Sequence, residues 1–513
     1  MLEVAVASGS QLAADAGARV VREGGNAVDA AIAASLVSCV VEPGVCSLAA
    51  SGFLTIWPPG AAPVMVDGAA VMPGMELPKS RFGQATEEVL LEYGGGVRTT
   101  VGYGSVAVPG NLAAYEFASR RYGNVPWRVL VEPAWEVARD GFPLSESSYH
   151  YLQLTHKPIY GWSEHGLKMF CDADGELYKP GSTIRIEHLD ETLRSIAEDG
   201  VDVFYRGDLA VQITRYIEAH GGILTRQDMA SYKARLLPTL EVQVNDWTVA
   251  TDSPPALGGA VLAAMLMLMG DRPQDTWTPA ELEYLIRVQE AVLGFRYDRL
   301  DGSEDLPRDV QDLLEKASAR DLRHFLSSPS TVHASAVDSA GLACSVTVSA
   351  GYGSGVIPPG TGIFMNNSLG ELELNKRGLH VWSPGSRLPS NMAPTVARHR
   401  DGGVLAIGSP GASRITTAIQ QTLLNFMHLG MPLQAAVDHA RLHVEEADGH
   451  MQVAYEEALP VDQVDVPQRM FSGISMYFGG VSAALWDPRE GFVVAADPRR
   501  AGGTALCSNA DTR

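Results

Sequence analysis

Apolar and polar positions along the chain define most of its elements. Residues 11–23 carry Ala and Leu at helical spacing and close on Gly24-Gly25, which suits a helix end. Asn26 can cap a second helix over 27–41, which is Ala, Ile, Leu and Val almost throughout. A helix apolar on every face is a buried one. Runs 51–57 and 64–67 read as the strands of a hairpin. Residues 76–100 are polar and Gly-rich, the pattern of a mobile surface loop. Helices are predicted at 111–122 and 127–140, and mostly helices over 145–322, with one strand pair near 240–250. Residues 329–356 alternate small and apolar positions in two short strands about a turn at 338–341. They run on into Gly351-Tyr352-Gly353-Ser354-Gly355. Strand-like 362–365, a polar loop over 366–391 and a strand at 404–408 follow. A glycine turn at 408–413 leads into a helix over 415–429, and strands return over 480–494. No repeat or long linker divides the chain, so one layered α+β domain with helical elaboration fits the pattern.

Composition narrows the function. The chain has 513 residues, 46% hydrophobic, enough for a large core, and a net charge of −21 argues against a nucleic-acid partner. Cys39, Cys46, Cys171, Cys344 and Cys507 are odd in number and widely spaced, as expected of buried thiols in a reducing compartment. The first fifteen residues lack a basic stretch followed by an apolar one. The apolar run 261–269 is about half of the ~18–20 residues that a span needs. The expectation is a cytoplasmic protein with no membrane partner.

Common catalytic motifs are missing. No Walker loop, HExxH or GxSxG occurs. The run 351–356 resembles a dinucleotide loop only faintly, because Pro358-Pro359 stands where a helix should begin. His439 and His443 lie four apart on an expected helix, with no carboxylate or thiol cluster to make them metal ligands. No cofactor and no metal are expected. Hydroxyl chemistry is left. A Thr hydroxyl is a poor nucleophile without a base. At a chain's amino terminus it has one, an α-amino group with a pKa near ~7.7–8.0. Thr331 can reach that state if it attacks the Ser330 carbonyl and the resulting ester is hydrolysed. Taken alone, a Thr at a strand start is an ordinary β-former.

Ordered motifs change that reading. Gly24 to Ala31 reads GGNAVDAA, followed by Val41-Glu42-Pro43. Further on stand Ser105-Val106-Ala107-Val108-Pro109-Gly110, Glu132-Pro133-Ala134 and Ala138-Arg139-Asp140-Gly141. Then come Thr331-Val332-His333, Gly353-Ser354-Gly355, Pro359-Gly360-Thr361-Gly362-Ile363 and Asn366-Asn367. Gly408-Ser409-Pro410-Gly411-Ala412-Ser413-Arg414 and Asp438, Arg441, Leu442 and His443 complete the set. In this order, over nearly the whole chain, they resemble the γ-glutamyltransferase family of amino-terminal-nucleophile hydrolases, whose antibiotic-pathway branch is a further point of likeness.

That resemblance implies a four-layer αββα sandwich of two stacked sheets between helices. It implies autocleavage between Ser330 and Thr331 into a large segment, 1–330, and a small one, 331–513, joined as a heterodimer, with further pairing left open. Thr331 would be the nucleophile, Ser349 its hydroxyl partner in place of the family's second Thr, and the amides of Gly411 and Ala412 the oxyanion donors. Ala412 stands where the family has Gly, which is tolerable if its φ is not positive. In the substrate site the family's acid or amide after Asn366-Asn367 is Ser368, its aspartate is Glu371, and its serine pair is Ser390-Asn391. No arginine matches the one that holds the glutamate carboxylate; Arg81 is the nearest. Two residues that include a substrate-binding Asn are absent between Ser349 and Gly353. The expected activity is a self-processing Thr hydrolase or transferase on a small amino-acid-like molecule, with an altered glutamate pocket. Ordinary γ-glutamyl hydrolysis or transfer, carbon–carbon bond hydrolysis in proline-derived antibiotic synthesis, and an unprocessed binding protein are the alternatives.

Overall fold

A computed structural model describes residues 2–92, 96–161, 164–320, 332–447 and 450–509. Ser330 and Thr331 lie outside the described residues.

Two sheets organise the chain. The larger has seven strands in the order Gly503–Ser508, Glu3–Ser8, Val332–Asp338, Ala343–Ser349, Ser51–Trp57, Val64–Gly68 and Arg235–Pro238. The other has six: Gly491–Ala496, Ser482–Asp487, Val404–Gly408, Thr395–His399, Trp247–Thr251 and Leu240–Val244. The two predicted hairpins, 51–68 and 332–349, are thus adjacent in one antiparallel sheet, joined by the pairing of Ala343–Ser349 with Ser51–Trp57. Alternation along these strands assigns their faces. Val332, Ala334 and Ala336 join the core that contains the helices Gln11–Arg22 and Ala27–Val41. Val337 and Ala343 instead pack with Ala250, Val396, Val404, Ala406 and Ala484 of the six-stranded sheet. Polar residues of the same face reach the same sheet. Ser345 Oγ donates to the Ile407 carbonyl at 3.0 Å, and Ser335 Oγ to that of Ser482 at 3.1 Å. A second apolar cluster joins the six-stranded sheet to the helices Leu257–Met269, Pro279–Phe295 and Arg414–Met427.

The helix Ala27–Val41 has the expected bounds, and all its residues are buried. Asn26 Oδ1 accepts from the Val28 and Asp29 amides, and Asp29 Oδ2 accepts from the Asn26 amide, a reciprocal cap.

Three expectations fail. Residues 76–100 are not a loop: they hold a 3₁₀ turn, Lys79–Arg81, and most of the hairpin Glu87–Leu91 with Val97–Val101. Glu87 and Glu88 face water, whereas Thr99 and Thr100 are buried, and the charged strand obscured the pattern. Residues 362–365 form no strand; Met365 makes a single bridge with Ala49. His439 and His443 share no helix, because the helix Leu433–Asp438 ends first and His443 lies in the strand Leu442–Ala447.

Candidate active site

The catalytic side of the site is built on strands. Ser349 ends Ala343–Ser349, paired with Ser51 of the next strand. Its Oγ accepts from the Gly351 amide at 3.1 Å. In the neighbouring strand His333 is enclosed. Its ring nitrogens meet Thr347 Oγ1 at 2.9 Å and Ser335 Oγ at 2.7 Å. Burial pushes the His333 pKa down to about 3, so the ring is neutral and acts as a fixed link between strands and sheets. Its face lies against Gly408, where a Cβ would stand 2.3 Å from the ring. Only glycine admits the ring there.

Gly408 opens the turn that carries the expected oxyanion donors. Ser409 Oγ accepts from the Gly480 amide at 3.1 Å and donates to the Pro410 carbonyl at 2.7 Å, which fixes the bend. Gly411 has φ +123° and Ala412 φ +61°, both in the left-handed region. The condition placed on Ala412 therefore does not hold: it keeps the conformation that favours glycine, at a cost of about 1–2 kcal/mol. Ala412 is buried, and the helix Arg414–Met427 starts two residues later. Among the described residues, no hydrogen bond takes up the N–H of Gly411 or of Ala412. Two buried, unused donors just before a helix start are chemically suited to an anion.

The recognition side is irregular yet buried. Asn366 and Asn367 are frame members. Asn366 Oδ1 accepts from the Ala107 and Ser368 amides, while its Nδ2 donates to the Ala49 and Ala107 carbonyls. Asn367 Oδ1 accepts from the Tyr352 amide at 2.7 Å, and its Nδ2 donates to Thr99 Oγ1 and the Thr100 carbonyl. The hairpin at 87–101 thus supports the loop that carries Ser368 and Glu371. On the far wall the Ser390 carbonyl accepts from the Leu257 amide at 2.7 Å, which ties that wall to the helix Leu257–Met269.

These segments enclose one cavity. Ser349, Ser368, Glu371, Ser390 and Asn391 line it, together with Ser51 and the apolar Ala70, Leu374, Leu388, Pro389 and Met392. Five of the seven sequence-predicted residues that fall within the described chain are thereby brought together. Gly411 and Ala412 are outside this lining. Ser51 was missed as a lining residue, although the register Ser349–Ser51 marks it. Glu373 and Tyr352 behind the wall were missed as well, with no motif to announce them.

Among the described residues, Glu371 is the one charged side chain in the lining. Burial, with Glu373 beside it, holds its carboxyl well above the usual range. Glu373 accepts from Tyr352 Oη at 3.2 Å, and burial pushes its pKa up to about 7 even though the Arg296 charge acts against this. No described lysine or arginine lines the cavity. Arg81 Nη2 donates to the Gly222 carbonyl at 3.2 Å instead. Arg387, next in the chain to Leu388, donates to the Ala69 and Lys233 carbonyls and lies 3.3 Å from Asp67.

Known proteins carry the same plan. A family model for gamma-glutamyltranspeptidase matches residues 13–507. The glutathione hydrolase proenzyme of Pseudomonas aeruginosa is 30% identical over 474 residues, covering 86% of this chain and 82% of that one. The crystal structure of cephalosporin acylase from Bacillus halodurans superposes with a TM-score of 0.81 at 26% identity, over 98% of this chain and 95% of that one. The structure of LmbA2991HD, at 21% identity and a TM-score of 0.76 over 98% of both chains, shares the fold. The mixed helix-and-sheet architecture, the ordered motifs and a family match over nearly the full length have one outcome: this chain is an enzyme of the gamma-glutamyltranspeptidase family, among the amino-terminal-nucleophile hydrolases.

Proposed function

We propose that the chain is a self-processing threonine hydrolase or acyl transferase with an altered glutamate pocket, acting on a small molecule that carries an ammonium group. The two sheets and their outer helices are read as the four-layer αββα sandwich. Thr331 Oγ1 attacks the Ser330 carbonyl, the peptide bond becomes an ester, and water hydrolyses it. Ser330 then ends segment 1–330 with a carboxylate, and Thr331 opens segment 331–513 with a free amine. That amine takes the proton of its own hydroxyl as the hydroxyl attacks the substrate acyl carbon. The Gly411 and Ala412 amides receive the oxyanion, and their lack of partners supports this role. Ser349 hydrogen-bonds the nucleophile. Water, or an amine acceptor, releases the acyl group. The two segments stay together as a heterodimer, and the five free thiols fit a reducing, cytoplasmic setting.

One observation carries the substrate reading. Among the described residues, the cavity is lined by one acidic side chain, Glu371, and by no lysine or arginine to hold a substrate carboxylate. A γ-glutamyl group brings both an ammonium and a carboxylate, and the second would be buried unpaired. The lost charged pair lowers specificity by on the order of 2–4 kcal/mol, roughly 30- to 1,000-fold. Steady-state kinetics on glutathione test it. Turnover should be poor, and a kcat/KM near ~10⁴ M⁻¹s⁻¹ would sink the proposal. The second reading, ordinary γ-glutamyl hydrolysis, draws on the 30% identity to a protein named glutathione hydrolase proenzyme.

A further inference from the structure

The side-chain amide of Asn391 stands in the cavity wall without a protein partner. Both Oδ1 and Nδ2 are buried and neither has a hydrogen-bond partner. The residue is 4% exposed and lines the cavity with Glu371. Its backbone is held in place. The preceding carbonyl, of Ser390, accepts from the Leu257 amide, and a Cβ at Gly258 would stand 2.1 Å from the Asn391 carbonyl oxygen. The amide is fixed and unsatisfied, which is the state of a group awaiting a ligand.

An amide offers one donor and one acceptor side by side. Its complement is another amide. A carboxylate has only acceptors, so it could use Nδ2 but would be set against Oδ1. It would also share a buried cavity with the Glu371 carboxyl. The cations that could offset this are engaged elsewhere, Arg387 by two carbonyls and Asp67, Arg81 by a carbonyl. The hydroxyls of Ser51 and Ser390 already accept from the Ala70 and Met392 amides, which leaves each a proton to give.

We propose that Asn391 reads a neutral carboxamide on the substrate, so that the preferred substrate class is an ammonium-bearing carboxamide rather than a zwitterionic amino acid. An aminoacyl amide, or the amino-terminal residue of a peptide, has this pair of groups. The inference rests on the reading that Glu371 holds the ammonium. It adds the second contact, and with it the reason the clamp has lost its arginine.

The test compares two γ-anilides of glutamate that differ at one group, the free α-carboxylate and the α-carboxamide. Binding by calorimetry and kcat/KM are measured on the mature protein. The carboxamide should be favoured by about tenfold or more. In Asn391→Leu that preference should fall to within about threefold, the loss expected when a discriminating hydrogen-bond pair is removed. Asn391→Ser, which restores a second serine, checks the result in a variant of smaller volume. Equal use of the two anilides, preference for the carboxylate, binding of neither, or a carboxamide preference that survives Asn391→Leu would each overturn the proposal. A denaturing gel separates this failure from that of the underlying reading. A wild-type chain that cuts itself yet shows no carboxamide preference sinks this inference alone. A wild-type chain that stays whole sinks the activity.

Discussion

The two sides of the candidate site are made differently. The proposed catalytic side, which reaches beyond the cavity lining, is backbone and short hydroxyls on regular strands, and its bends are fixed by glycines at close contacts. The recognition wall is loop, buried by side-chain amides that bond the backbone. The side-chain amides of Asn366 and Asn367 use both their oxygen and their nitrogen for framing. The side chains of Glu371 and Asn391, both further along the chain, make no such hydrogen bonds among the described residues. The lesson is a division of labour: the proposed chemistry depends on N–H groups and register, and there Ala412 keeps a left-handed backbone at a cost, whereas recognition that depends on side chains can be rewritten without moving the frame.

The largest test of that division is Thr331→Ala. It should leave one full-length band on a denaturing gel and reduce turnover by ~10⁴-fold or more, the scale of losing a nucleophile. Cleavage of that variant at the same bond would show that the strand wall is not the origin of the cut.

Glu371→Ala strikes the other wall alone. Self-cleavage should proceed, while kcat/KM on an ammonium substrate falls by about 10- to 150-fold, the range for one charged hydrogen bond. The acidic pair also gives pH dependence of two opposed signs. The unfolded Glu373 ionises near 4.5, whereas in the folded chain burial holds it to about 7. Between those values the folded state binds more protons, so stability falls as pH rises, and the penalty is constant above about 7. Binding of an ammonium needs the Glu371 carboxylate, whose pKa burial and the neighbouring Glu373 raise, so kcat/KM should rise with pH as that group ionises. Thermal melts and pH–rate profiles of wild type and Glu371→Ala read the two trends. A flat rate profile in wild type would separate the pair from recognition.

Ala412→Gly has the smallest expected effect. It relieves a left-handed Ala and should stabilise the protein by about 1 kcal/mol or less, because glycine also gains freedom in the unfolded chain. Denaturant melts measure it. A destabilised variant would mean that the Ala412 methyl, fully buried, contributes more packing than its backbone costs.

Legibility in the sequence followed the same line. The helix Ala27–Val41 was readable because no position on it is wet, and the hairpin at 332–349 because its alternation is unbroken. The strands Glu3–Ser8 and Gly503–Ser508 were not read. They pair with each other across almost the whole chain, and local pattern says nothing of such partners. The hairpin at 87–101 was masked by exposed glutamates on its outer strand. In the site, motif order marked Ser349, Ser368, Glu371, Ser390 and Asn391. The unsatisfied state of the Asn391 amide and the left-handed backbone at Ala412 depend on three-dimensional surroundings, and residue identity conceals both.

The strand order has a consequence for how this molecule is lost and regained. Glu3–Ser8 lies between two strands from beyond residue 330, and Ser51–Trp57 is laddered to a third. Thr395–His399 likewise pairs with Trp247–Thr251. The seven-stranded sheet interleaves strands from the two sides of residue 330, the six-stranded sheet joins them along one strand pair, and the five cysteines are free, so after the proposed cut only non-covalent ladders and packing would join the segments. Before the cut, folding is a search by one chain with itself. Afterwards it is a meeting of two solutes, each with gaps in its sheets where the other's strands belong, and its yield depends on concentration. Under the proposed cut, the mature enzyme is a product that folds once. Its lifetime is governed by the rate at which the interleaved sheets come apart, more than by any equilibrium to which it could return.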